Sequence, residues 1–520
     1  MKVLVADRLS DAGVAALAAK AEVDVRTGLT KPDLLDAIGD YDAVVIRSAT
    51  TIDADVIAKA DNLKVIARAG IGLDNVDVEA ATNRGVIVCN APQSNVISAA
   101  EHTVALLLSL ARQIPAADAS LRKGEWKRSS FEGVELHGKT LGVVGLGRVG
   151  VLVAQRCSAF GMKLVAYDPY VSTERAARMG VELVSTVADL CALADVITVH
   201  LPKTPDTVGI VGEAELRSMH DRALVVNTAR GGIVDENALH KALNEGWIGG
   251  AALDVFSTEP MTDSPLFGLP NVVVTPHLGA STSEAQDKAG TMVAESVFLA
   301  LDGDFVPSAV NVQIGGGISE EVKPYMPLAE TLGRLAMALQ PERVEELKVE
   351  LIGRVAEEDP QAITLSAVKG ALSGVTHEPV TFVNAPLLAE DRGIRVATLT
   401  SSTSSDFVSV LRVSAGDIHV AGTLVGANHA PRLVEVWGFG VDIAPNDHMV
   451  FFRYADRPGV VGTIGGALGE AGVNIAAMQV SRHEAGGEAL IAMSVDSEVP
   501  GDVIDEIAER IGASHARGLT

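Results

Sequence analysis

Three polar side chains follow apolar runs between residues 223 and 280 of the chain. Arg230 closes "ALVVNTAR" and is followed at once by Gly231 and Gly232; Glu259 comes in "ALDVFSTEP" and His277 in "NVVVTPHLG". Short apolar runs of this kind read as buried strands, so all three residues fall at strand ends. Oxidation of a 2-hydroxy acid needs a base for the hydroxyl proton. It needs a cation for the carboxylate and the forming carbonyl, and a second carboxylate to orient the base and raise its pKa. His277, Arg230 and Glu259 supply these in that order. Taken singly, each has a plain reading: a capping histidine, a structural ion pair, a loop carboxylate. Gly231 and Gly232 are expected to leave room for a ligand beside Arg230.

A dinucleotide site lies upstream. "VVGLGRVG" places Gly145, Gly147 and Gly150 in G-x-G-x-x-G spacing, after a strand and at the start of a helix. The glycines permit a tight turn and close approach of backbone to a pyrophosphate, which the helix N-terminus favours. The next strand ends in Asp168, where a carboxylate would accept ribose hydroxyls and repel a 2′-phosphate. NAD is therefore expected rather than NADP.

These residues need a frame of parallel strands. Residues 1–97 alternate β-rich runs with helical patterns, and residues 139–280 repeat the alternation, ahead of a helical stretch at 281–302. Such repetition implies an α/β fold with helices on both faces of a parallel sheet. Between the two series, "SAAEHTVALLLSLAR" is a helix over 98–112, opened by Ser98 and Glu101 in capping-box spacing. It is apolar nearly all round in its second half, as an interdomain or dimer contact would be. A glycine-rich linker is expected at 311–321, an α+β domain at 318–445, a second linker at 443–448, and a βαββα unit, with a possible closing strand, to the end.

Composition narrows the function classes. The chain has 520 residues, enough for several cores. Its net charge of −25 disfavours nucleic acid as a partner. Cys89, Cys157 and Cys191 are far apart and form no CxxC pair, which fits a reducing, cytoplasmic setting. No signal peptide or membrane-spanning run is expected, since the longest apolar stretch, 104–110, is too short.

In this order, "GLGRVG", "NTARGGIVDENAL", "ALDVFSTEP" and "TPHLGAST" resemble the D-isomer-specific 2-hydroxyacid dehydrogenases. Within that family, "IRSATTI", "VIARAGIGLDNVDVEAAT" and "NAPQSN" are similar to the branch that acts on D-3-phosphoglycerate, at the head of serine biosynthesis. The resemblance implies Arg230, Glu259 and His277 as catalytic residues. It implies NAD contacts at Arg148, Val149, Asp168, Thr207, Thr228, Ala229 and Asp254, with Asp254 near the nicotinamide amide and the loops at Ile71 and Gly279 bordering the cofactor. It implies a two-lobed fold: residues 1–97 with 281–310 as substrate lobe, and 98–280 as an inserted Rossmann lobe. Arg47 and Ser48 would then face Arg230 across the cleft, with Gly70 and Asn95 lining the same pocket and Arg47 taking the phosphate.

Residues 318–445 resemble the intervening domain of the long-form enzymes, and 449–520 an ACT domain, a ferredoxin-like module that binds amino acids between paired copies. There Pro458 and Gly459 open a helix whose N–H groups can take a carboxylate. Tyr454, Asp456 and a partner copy's Asn474 complete the expected L-serine site, in a homo-oligomer, dimer or tetramer. Two other readings remain: a reductase of hydroxypyruvate or another unphosphorylated acid, against which Arg47 and the ACT module argue, and a nucleotide-sensing scaffold, against which the intact Arg–Glu–His set argues.

Overall fold

Short apolar strands alternate with helices through the first ninety residues because each strand is covered on both faces. The strands are β1 (Lys2–Val5), β2 (Glu22–Val25), β3 (Ala43–Ile46), β4 (Val65–Arg68) and β5 (Ile87–Asn90). They form a parallel sheet in the order β2-β1-β3-β4-β5. The computed structural model describes residues 1–312, 318–340, 343–376, 380–404 and 406–519. The glycine-rich stretch expected as a linker at 311–321 falls partly outside them.

A crossover helix, Val96–Ala111, leads into the second sheet, and its buried face joins that sheet's core. It starts two residues earlier than the spacing of Ser98 and Glu101 predicts, with Asn95 at its N-cap and no side-chain cap. The expected capping box is absent because both residues have other partners: Ser98 Oγ lies 2.8 Å from Thr282 Oγ1, and Glu101 pairs with Arg156. The apolar half of the helix is core of this chain.

The second sheet contains β6 (Thr140–Val144), β7 (Lys163–Tyr167), β8 (Val181–Leu183), β9 (Val196–Val199), β10 (Leu224–Asn227), β11 (Gly250–Leu253) and β12 (Val272–Val274). Its order is β12-β11-β10-β9-β6-β7-β8, all parallel. The order reverses between β9 and β6, and at such a switch point a crevice opens beyond the carboxyl ends of the strands. A return helix, Ser283–Leu301, then packs back into the core of the first sheet through Ala289, Val293 and Val297.

In the C-terminal half, β13 (Glu346–Gly353), β14 (Arg395–Ser401), β15 (Ser409–Ala415), β16 (Ile418–Val425), β17 (Ala430–Val436) and β18 (Phe439–Ile443) form a mixed sheet. Its order is β14-β13-β15-β16-β17-β18, with β14 parallel to β13 and the other pairs antiparallel. Strict alternation of burial along β15 shows one face on a core and one face open. The core includes the helices Tyr325–Leu339 and Gln361–Ser373.

The last sheet is β19 (Met449–Ala455), β20 (Ile475–Arg482), β21 (Glu488–Val495) and β22 (Ala513–Leu519), in the order β20-β21-β19-β22. The possible closing strand is therefore formed, as β22. The helix expected from Pro458 begins at Val460, after Gly459 in the left-handed region at φ 94°. One face of this sheet is covered by its own two helices. The other contributes Met449, Phe451, Leu490, Ala492 and Leu519 to the core of the preceding domain. No single helix among the described residues is long and apolar enough to cross a membrane.

Candidate active site

The dinucleotide loop follows β6. Gly145 has φ 96°, and a Cβ there would lie 2.8 Å from the His200 carbonyl oxygen. A Cβ on Gly150 would lie 2.2 Å from the Gly145 carbonyl oxygen, whereas Gly147 has open space around it. Two glycines are thus required by the turn itself, and the third leaves the backbone approachable from outside. The helix that follows, Arg148–Ser158, has Gly147 as N-cap and no side-chain cap, so its first N–H groups are left for a ligand. Asp168 reaches over the loop, its carboxylate accepting from Leu146 N at 2.8 Å and Tyr170 N at 2.9 Å. Val149 packs on the lobe's core, and Thr207 braces the loop after β9 by donating to Pro202 O at 2.6 Å. These residues fit a dinucleotide: an uncapped helix end, a cradle that side chains would fill, and a carboxylate at the next strand end.

The three strand-end residues come together. Asn227, buried at the end of β10, shapes the next turn: its Oδ1 accepts from Ala229 N at 3.1 Å and its Nδ2 donates to Arg230 O at 2.9 Å. Thr228 Oγ1 lies 2.6 Å from Thr103 Oγ1 of the crossover helix. Gly231 corrects the sequence expectation. A Cβ there would lie 1.8 Å from the Phe256 backbone, so this glycine makes room for a neighbouring strand end and not for a ligand. In the other lobe Gly72 makes room for the Arg230 side chain itself, since a Cβ there would lie 2.3 Å from Arg230 Nη2. Arg230 Nε also lies 3.4 Å from Asp74 Oδ2, an ion pair across the cleft.

Glu259 Oε2 sits 2.6 Å from His277 Nδ1, and Oε1 accepts from Phe256 N at 2.9 Å. Burial raises the Glu259 carboxyl. The bonds from His277 and Phe256 N, and the charges of His277 and Arg230, outweigh it and hold the group below its ordinary range. An ionised Glu259 can only accept, so His277 Nδ1 carries the hydrogen and Nε2 is left for a reacting group.

Asp254, expected at the nicotinamide amide, has no exposed surface. Oδ1 accepts from Thr275 Oγ1 at 2.5 Å and Leu278 N at 2.7 Å, and Oδ2 from Gly279 N at 2.8 Å. Asp254 thus organises the turn that carries His277.

The first sheet presents arginines. Asp7, buried, accepts from the backbone N–H groups of Arg47, Ala49 and Thr50 and from the Thr50 hydroxyl, which fixes the turn after β3. Arg47 Nη1 donates to Arg8 O at 3.3 Å, and Ser48 beside it is exposed. Arg68 is the last residue of β4; burial, and then repulsion from Arg230 and Arg47, push its pKa down to about 10. Its Nε is buried without a partner, as is Asn95 Oδ1. Arg8, Arg47, Gly70 and Asn95 border a recess between β1, β3 and the return helix. Ile71 O accepts from Asn90 Nδ2 at 2.6 Å.

Sequence reasoning passed over Arg68 and Asp74, although Arg68 ends an apolar strand as Arg47 and Arg230 do. That rule, applied to "VIARAG", finds it.

The expected effector residues are not gathered within one chain. Asp456 Oδ2 accepts from Arg482 Nη1 at 2.6 Å and Gly486 N at 3.1 Å, while Asn474 Nδ2 donates to Asp496 at 2.6 Å. Tyr454 is buried in the domain core, and Pro458 and Gly459 form the turn before the helix.

Three family descriptions match the chain in succession. They are "D-isomer specific 2-hydroxyacid dehydrogenase, NAD binding domain" over residues 104–279, "D-3-phosphoglycerate dehydrogenase intervening domain" over 321–437, and "ACT domain" over 448–512. The D-3-phosphoglycerate dehydrogenase of Mycobacterium bovis is 52% identical over 98% of this chain and 97% of its own. That of Methanocaldococcus jannaschii is 46% identical over 98% of each. Among solved structures, the TT0316 protein of Thermus thermophilus is 36% identical, covering 60% of this chain and 100% of its own at a TM-score of 0.56.

Proposed function

The chain belongs to the D-3-phosphoglycerate dehydrogenase family, and from that premise we propose that it oxidises D-3-phosphoglycerate to 3-phosphohydroxypyruvate with the residues described above. It is an NAD-dependent oxidoreductase with an ACT domain. Gly145, Gly147, Gly150 and the N–H groups at Arg148 and Val149 would hold the pyrophosphate, and Asp168 the ribose hydroxyls. NAD, when bound, accepts the hydride from C2 of the substrate. His277 Nε2 takes the C2 hydroxyl proton, and Glu259 stabilises the imidazolium this creates. Arg230 holds the substrate carboxylate and polarises the forming carbonyl. Asp254 anchors the His277 turn.

The observation that carries the substrate assignment is the crowding of cations at the facing strand ends. Burial lowers the Arg68 pKa first, the charges of Arg230 and Arg47 lower it further, and Asp74 is the carboxylate paired with Arg230. Such a site is paid for by a ligand with both a carboxylate and a phosphate. Arg47 and Arg68 are assigned to the phosphate, with Ser48, Gly70 and Asn95 lining the pocket. The implied role is the first step of serine biosynthesis. L-serine is the proposed effector, at the turn Asp456–Gly459 and a second copy's Asn474, which makes the protein a homo-oligomer. Three free, buried cysteines support a cytoplasmic setting.

The test is NADH formation from NAD and D-3-phosphoglycerate, with D-lactate and D-glycerate as comparators. Turnover confined to the phosphorylated acid supports the assignment. Turnover with the comparators alone overturns the phosphate site and keeps the acid–base pair.

A further inference from the structure

The crossover helix Val96–Ala111 is fastened to the reacting end of the second sheet by side chains from one face. Ser98 meets Thr282, the cap of the return helix, and Thr103 meets Thr228, beside Arg230. Between them His102 Nε2 lies 3.1 Å from Asp254 Oδ1 and 3.1 Å from Thr275 Oγ1. The dehydrogenase chemistry assigned above gives His102 no task.

Asp254 is where the His277 turn is held. Its carbonyl oxygen accepts from His277 N at 2.8 Å, and its carboxylate takes the next two N–H groups, at 2.7 and 2.8 Å. One residue therefore fixes three consecutive amides, and the first belongs to a histidine with φ 55°. A residue with a side chain enters that left-handed region only when its surroundings impose it. A carboxylate with no exposed surface can do so only while its charge is satisfied. Burial raises the Asp254 carboxyl, but bonds from His102, Thr275 and Leu278 N, in that order, hold it below its ordinary range.

The protons on this network follow from the geometry. The Thr275 hydroxyl donates its hydrogen to Asp254 at 2.5 Å, so toward His102 it can only accept. The carboxylate can only accept too. His102 Nε2 must then carry a hydrogen, shared between the two oxygens.

We propose that His102 is a positioning residue of the reaction: through its Nε2–H it completes the donor set of Asp254 and so keeps the 275–279 turn in the shape that presents His277 to Glu259. It touches neither reacting atom and acts through Asp254. The reading rests on His277 as the base, not on the identity of the substrate.

The test uses the full chain with His102→Leu, which removes the donor, and His102→Gln, whose terminal amide N–H can stand where Nε2–H stands. Two quantities are read: hydrogen exchange of segment 275–279 in NAD-free protein, and the single-turnover rate of NADH formation from D-3-phosphoglycerate. His102→Leu is expected to speed exchange in that segment and to slow the single turnover by about 10- to 100-fold, with NAD affinity little changed. His102→Gln is expected to restore both. A folded His102→Leu protein with wild-type exchange and rate overturns the proposal, as does a folded His102→Gln protein as impaired as the leucine variant. If His102→Leu does not fold, Thr275→Val removes another donor to Asp254 and is expected to loosen the same segment; unchanged exchange there overturns the proposal. Wild-type protein that forms no NADH counts against the dehydrogenase reading alone, and the exchange measurement then decides on His102.

Discussion

The sheet β2-β1-β3-β4-β5 and the sheet β12-β11-β10-β9-β6-β7-β8 share one construction, parallel strands with polar residues placed where the strands end. They differ in what they place there. The first ends in guanidinium groups: Arg47, on a turn tied down by the buried Asp7, and Arg68, at the end of β4. The second ends in a hydrogen-bonded Glu259–His277 pair, a buried carboxylate and an uncapped helix. Arg230 crosses this division, belonging to the second sheet and pairing with Asp74 of the first. On the proposed function the difference separates recognition from proton transfer: one lobe would hold the carboxylate- and phosphate-bearing substrate by positive charge, and the other would keep the base in register.

The sharpest way to break the comparison is His277→Ala. Loss of the base is expected to lower kcat by about 10²- to 10⁴-fold while NAD binding, measured by fluorescence titration, is retained. Retained turnover would move proton transfer elsewhere. Arg47→Ala probes the other lobe. A hydrogen bond to a charged group is worth about 1.5–3 kcal/mol, so kcat/KM for D-3-phosphoglycerate is expected to fall by roughly 10- to 150-fold, and that for D-glycerate far less. Equal losses would remove Arg47 from the phosphate site.

The smallest effect concerns pH. Burial lowers the His200 pKa to about 4, from 6.5 as the ordinary value. As pH falls between those values the unfolded chain takes up a proton that the folded chain refuses, so stability declines. Arg68 of the first lobe, with its pKa lowered only to about 10, stays charged throughout this window and adds no slope. Thermal unfolding of His200→Asn across the same window is expected to show a shallower decline; identical slopes would mean that His200 is not the source.

Where the chemistry depends on neighbours in sequence, it was legible there. The glycine spacing, Asp168 at the next strand end, and the order Arg230, Glu259, His277 each follow from local patterns: a turn needing positive φ, a strand reversing burial, a polar residue where an apolar run stops. The alternation that defines two parallel sheets is local in the same sense. The expected capping box at Ser98 and Glu101 failed because the partners that claim those side chains, Thr282 and Arg156, are far along the chain. Gly231 was misread for the same reason: the backbone that demands a glycine belongs to Phe256. Arg68 beside Arg230, Asp74 across the cleft, and His102 against Asp254 all join segments distant in sequence. No periodicity encodes those meetings. They arise only when two sheets and the helix between them pack, because packing alone decides which strand ends face each other and which charges lose their water.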